Sequence, residues 1–155
     1  MNPQRILPDL QSALLCEDVR QEASGNFILL GITALIRVPQ IPITAMKLCA
    51  FTRWTCGLGQ FTECTRLLAP DQTTVLRESK VKFLLQDPVH NASNLSVFTN
   101  VELKEAGVYH LEVLVDDVMK IRVPVPVAVA PVQQPDRPAA AAGEADSTPP
   151  EPAAD

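Results

Sequence analysis

The stretch GVYHLEVLVDDVMKIRVPVPVAVA, residues 107–130, alternates apolar and polar side chains on both sides of an acidic pair. Tyr109, Leu111, Val113 and Val115 share one parity, with His110 and Glu112 between them. Met119, Ile121, Val123, Val125 and Val127 repeat the pattern, with Lys120 and Arg122 opposite. Successive side chains of a strand leave opposite faces, so the pattern predicts a hairpin with one apolar face. Pairing Val115 with Met119, Val113 with Ile121 and Leu111 with Val123 keeps both apolar sets together and predicts a three-residue loop. A two-residue turn at Asp116 and Asp117 would set Val113 against Lys120. Pro124 and Pro126 remove donors two residues apart, hence on one side of the strand, which predicts that the last strand is a sheet edge.

The same short, punctuated pattern runs back to residue 9. It predicts strands near 10–18, 27–38, 44–55, 60–68, 73–78, 81–85, 94–102, 107–115 and 119–129. No window sustains a capped helical stripe. Short strands at this spacing predict an all-β, antiparallel sandwich of about eight to nine strands occupying residues 1–130.

FILLGITALIRV is apolar at both parities. Ile28, Leu30, Ile32, Ala34, Ile36 and Val38 are expected to face the core, leaving Phe27, Leu29, Gly31, Thr33 and Leu35 on the other side. A strand of a two-sheet sandwich turns one face to water, so a second apolar face implies a cover: a returning loop, another subunit or a partner. Phe27, Leu29 and Leu35 are therefore the candidate interface residues.

KLCAFTRWTCGLGQFTEC holds three of the four cysteines around the one tryptophan. Cys49, Cys56 and Cys64 are too widely spaced for one turn to wrap a zinc ion. The stretch is expected to be a hairpin of strands 44–55 and 60–68, with CGLG as its turn. On that pairing Cys49 and Cys64 are diagonal neighbours, yet free thiols are expected, with Trp54 a core or sheet-face aromatic.

Composition narrows the function classes. Of the net charge of −5, the last 25 residues hold −4, in a segment with six prolines and seven alanines. Such a segment buries too little apolar area to offset its ordering entropy, so residues 131–155 are expected to be a disordered acidic tail. The near-neutral remainder offers no basic footprint for phosphates, so no nucleic acid is expected as a partner. The longest apolar run, 27–36, is too short to span a bilayer as a helix, so no membrane is expected either. Pro8 and Asp9 interrupt the apolar N-terminal stretch, and Leu15 precedes Cys16 where an export signal has a small residue. The expected location is cytoplasmic, where thiols stay reduced.

His90 and His110 are the two histidines, and no nucleophile–base set assembles around either. No catalytic residue, metal ligand or cofactor is assigned. Paired acids at Glu17–Asp18 and Asp116–Asp117 lack the spaced ladder of a calcium loop. Asn91 and Asn94 begin glycosylation-type tripeptides that read as turn residues.

In VELKEAGVYHL, the residues Val101, Glu105, Gly107, Tyr109 and Leu111 fall at the spacing of the immunoglobulin tyrosine corner, with Leu111 where the buried cysteine stands. This resembles the immunoglobulin fold and implies that Tyr109 closes a corner beside Gly107. LLCEDVR, GNFILLGI and FTRWTCGLGQF resemble an uncharacterised bacterial family of small β-sandwich domains of unknown function. That resemblance implies a sandwich and carries no activity with it. The expected function is a non-catalytic protein-binding or assembly module, its partner another protein or a second copy. The rival readings are a structural component of a larger assembly of the phage or virion kind and, last, an enzyme.

Overall fold

A computed structural model describes residues 4–130. Within them run nine strands: β1 (Asp9–Gln21), β2 (Phe27–Ile32), β3 (Ile36–Val38), β4 (Ile43–Thr55), β5 (Gly59–Leu68), β6 (Val75–Leu85), β7 (Asn91–Leu103), β8 (Gly107–Val115) and β9 (Val118–Val129). One sheet has the order β2-β1-β4-β7, the other β3-β9-β8-β5-β6. All pairings are antiparallel except β3 with β9. In immunoglobulin terms β4 and β7 take the places of strands B and E, and β5, β8 and β9 those of C, F and G. The expected tail at 131–155 lies outside the described residues. No described helix is long and apolar enough to cross a membrane.

Period-two burial builds the interior. Leu48, Ala50, Thr52 and Trp54 of β4 meet Phe61, Glu63, Thr65 and Leu67 of β5 across the sheets, all buried. One half of the core is mainly aliphatic, gathering Leu15, Val101, Leu111 and Val125 around Phe98 and Tyr109; the other gathers the aromatics Trp54, Phe61 and Phe83.

This interior overturns the hairpin expected at 44–55 and 60–68. The two strands lie in different sheets, because each needs the other's apolar face opposite it rather than beside it. CGLG is the corner between sheets. Cys56 takes φ 58° and Gly59 φ 120°, and a Cβ at Gly57 would lie 2.6 Å from that of Pro8. The two strands expected at 73–78 and 81–85 are one strand, β6. The strand expected at 27–38 is two: residues 33–35 carry the chain from one sheet to the other.

The turn between β8 and β9 also differs from expectation. Val113 pairs with Ile121 and Leu111 with Val123, as the alternation requires, but Val115 pairs with Val118. The turn therefore has two residues, Asp116 and Asp117, at φ 45° and 65°. Aspartate tolerates this left-handed conformation, and a bulge between Val113 and Leu114 absorbs the parity mismatch. The edge reading of β9 needs a similar correction. β3 pairs with Val127–Val129, and Ala130 N–H donates to Val38 C=O at 2.9 Å. Pro124 and Pro126 share that parity, so they stand on the part of the edge that β3 leaves open.

Tyr109 is 2% exposed, and its hydroxyl donates to Glu105 C=O at 2.8 Å. Gly107 sits beside it at φ 152°, where a Cβ would crowd Pro70 at 3.2 Å. The corner is formed.

The β5–β6 turn has its own lock. The Asp71 carboxylate accepts the N–H groups of Thr73 and Thr74 at 2.8 Å each and the Thr74 hydroxyl. The Thr74 hydroxyl, then the two N–H groups, hold the Asp71 pKa down at about 2. A carboxyl depressed on folding stabilises above its unfolded value of about 4, and loses that contribution as pH falls toward the folded value. A carboxyl-carbon NMR titration is expected to place the Asp71 midpoint near 2; a midpoint near 4 would mean that the turn is open in solution.

Candidate interaction surface

Five consecutive residues of β4, Leu48 to Thr52, are buried, although alternation sends Cys49 and Phe51 to the outer face of their sheet. Something covers that face, and it is the β1–β2 hairpin. β1 pairs with β4 from Asp9 to Cys16, then hands over to β2 from Cys16 to Gln21. Past Cys16 it crosses above β4. The Cys49 thiol lies 3.8 Å from Glu17 C=O, Lys47 Nζ pairs with Asp18 at 2.5 Å, and the Phe27 and Phe51 rings are 5.5 Å apart.

The cover reverses the expected faces of β2. Phe27 and Leu29 turn down toward Phe51 and Arg53 and are half-buried. Ile28 and Ile32, expected in the core, point outward at 42% and 58% exposure, and Leu30 on the same side is half-buried. Of the residues expected on that face only Ile36 and Val38 reach the core, from β3. The parity was legible; which parity faced inward was not, because the hairpin packs on the outside of a sheet.

The apolar surface left open is thus Ile28 and Ile32, continued by Leu35 at 38% exposure. A hollow of about 530 Å³ adjoins it, lined by Ile32, Leu35, Glu17, Arg37 and, at its base, Leu48. The Glu17 side chain lies over Gly31, where any Cβ would come within 2.7 Å of its carboxyl carbon. Gly31 has φ 64°, and this left-handed backbone is what favours glycine there, since the exposed Glu17 side chain can swing aside.

The sheet edges differ in protection. β6 carries Arg77, Glu78, Lys80 and Lys82, and the open part of β9 carries two prolines. Charges and prolines discourage strand addition. β2, one edge of the other sheet, carries neither, and β7, its opposite edge, carries Glu102 alone.

The remaining candidates take structural places. Cys49 and Cys64 lie on the outer faces of different sheets, so they cannot be diagonal neighbours. Asp116 accepts from Thr62 N–H at 2.9 Å and pairs with Arg5, whose guanidinium covers the Phe61 ring at 4.6 Å. Asp18 is held below the usual carboxylate range, first by Lys47. Asn94 is no turn residue but lies in the core. His90 is exposed in a loop and His110 is half-buried on β8. Among the described residues no three His, Cys, Asp or Glu side chains gather as metal ligands.

Two polar clusters escaped the sequence pattern. Glu63, 1% exposed, accepts through Oε2 from the Thr52 hydroxyl at 2.6 Å, Asn94 Nδ2 at 3.3 Å and Trp54 Nε1. One carboxylate thereby joins β4, β5 and β7 across the interior. On the outer face of the five-stranded sheet, which also holds Glu63, Glu112 is 4% exposed and lies between Arg66 at 3.2 Å and Arg122 at 2.5 Å. The register Arg66–Glu112–Arg122 is the signal that would have found this one.

Residues 11–128, from within β1 to within β9, match a family of unknown function, DUF6941. The chain belongs to DUF6941. The match spans both sheets, the covering hairpin and the corner, so the surface described above lies within the DUF6941 domain. A crystal structure of an immunoglobulin-like protein from Pseudomonas aeruginosa is similar at 13% identity, over 79% of this chain and 97% of that one, with a TM-score of 0.37. No curated protein matches the chain.

Proposed function

We propose that this DUF6941 domain is a non-catalytic, cytoplasmic protein-binding module, and that its contact surface is the outward side of the β1–β2 hairpin. The observation that carries this reading is the exposure of Ile28 and Ile32 on a charge-free, proline-free edge strand, with Leu35 exposed in the crossover beyond it, beside an open hollow. Apolar exposure on a sheet edge marks contact surfaces, and the bare β2 edge offers backbone groups to a partner strand. The cytoplasmic part of the proposal is supported by the exposed free thiol of Cys56.

Ile32→Glu separates surface from core. At 58% exposure the new carboxylate is solvated in the separated domain, so stability is expected to change by no more than about 0.5 kcal/mol. In a complex it would be desolvated, so assembly is expected to fail. Light scattering on the full chain tests the case in which the partner is a second copy: the wild type should show a multiple of 16.9 kDa and Ile32→Glu the single mass. Equal multiples for both, with unchanged circular dichroism, would place any self-contact elsewhere.

A further inference from the structure

Cys16 and Cys49 are directly paired residues of β1 and β4, so their side chains leave the same face of the sheet. Both are buried, at 0% and 1% exposure, and the Cys16 thiol lies 3.5 Å from Cys49 C=O. Directly opposed antiparallel residues have Cα atoms about 4.5 or 5.5 Å apart, within the range a disulfide spans. Cys16 is also the residue at which β1 passes from β4 to β2, and Cys49 lies under the crossing. Cys56 and Cys64 have no such partner, being exposed on the corner and half-buried on the other sheet.

We propose that Cys16 and Cys49 form a redox site, closing to a disulfide that staples the root of the hairpin to its sheet. The oxidant class is a small disulfide such as oxidised glutathione. One cysteine thiolate attacks its S–S bond, giving a mixed disulfide and one glutathione thiol. The second cysteine then displaces the remaining glutathione. The two thiol protons end on the two glutathione thiols, the cysteines are oxidised, and the glutathione disulfide is reduced. Burial pushes both thiols up, which keeps them protonated while the hairpin is docked. Closure therefore follows opening of the hairpin, and the bond then holds it down. This inference is independent of what binds the outward face.

The test uses the full chain with Cys56→Ser and Cys64→Ser, reduced and then incubated folded with oxidised glutathione. The expected result is loss of both remaining thiols on titration in denaturant, a mass lower by about 2 Da, and a higher thermal midpoint. Proteolysis of the oxidised wild type should yield one peptide joining Cys16 to Cys49. Two titratable thiols after incubation, or a mass raised by glutathione adducts, would overturn the proposal. So would a wild-type map in which this pair stays reduced.

Discussion

Trp54→Ala is expected to leave the chain without a stable fold at room temperature. Trp54 is fully buried and stacks on Phe83 with ring centres 5.6 Å apart, so deleting the ring costs about 3–5 kcal/mol. Its Nε1–H also donates to the buried Glu63 carboxylate, and withdrawing a donor from a charged acceptor costs about 1.5–3 kcal/mol more. Together these reach the lower end of the total stability of a domain, about 5–15 kcal/mol. Trp54→Phe isolates the second contribution, since it keeps a ring against Phe83. Urea unfolding followed by circular dichroism should show a loss of about 1.5–3 kcal/mol for that variant. An unchanged midpoint for Trp54→Phe would mean that Glu63 does not depend on the indole.

The second large effect is at the corner. Tyr109→Ala is expected to cost about 3–5 kcal/mol, as for other large buried aromatics. Tyr109→Phe keeps the ring and loses only the bond to Glu105 C=O, for about 0.5–1.5 kcal/mol. The ratio matters more than either value. Equal losses for the two variants would make the hydroxyl the main support of the corner, and no loss for Tyr109→Phe would remove the corner bond from the account.

These two sites show what the sequence made legible. Tyr109 stands in a local pattern, four residues from its acceptor, and a short motif conveys it. Glu63 does not: Thr52, Trp54 and Asn94 are 11, 9 and 31 residues away, and a single acid at an alternating position looks no different from a solvated one. The same limit applied to strand pairing. Alternation located most strands within a few residues, and β8 to β9 almost to register. It could not say that β4 and β5 face each other rather than lie side by side, because a strand offers the same parity to a neighbour and to an opposing sheet. The β1–β2 hairpin was harder still. Packing on the outside of a sheet makes Phe27 and Leu29 the inward residues, and nothing local distinguishes that from the core-facing alternative. Leu35 is the one candidate interface residue left in the open.

The most direct measurement of the central claim compares the full-length wild type and an Ile28→Glu/Ile32→Glu variant as baits in a lysate of the source organism. Their thermal midpoints are first shown to agree, and the captured proteins are then quantified. The wild type is expected to hold one protein, or a second copy of the chain, in fixed ratio, and the variant to lose it. The same proteins held equally by both baits would contradict the claim.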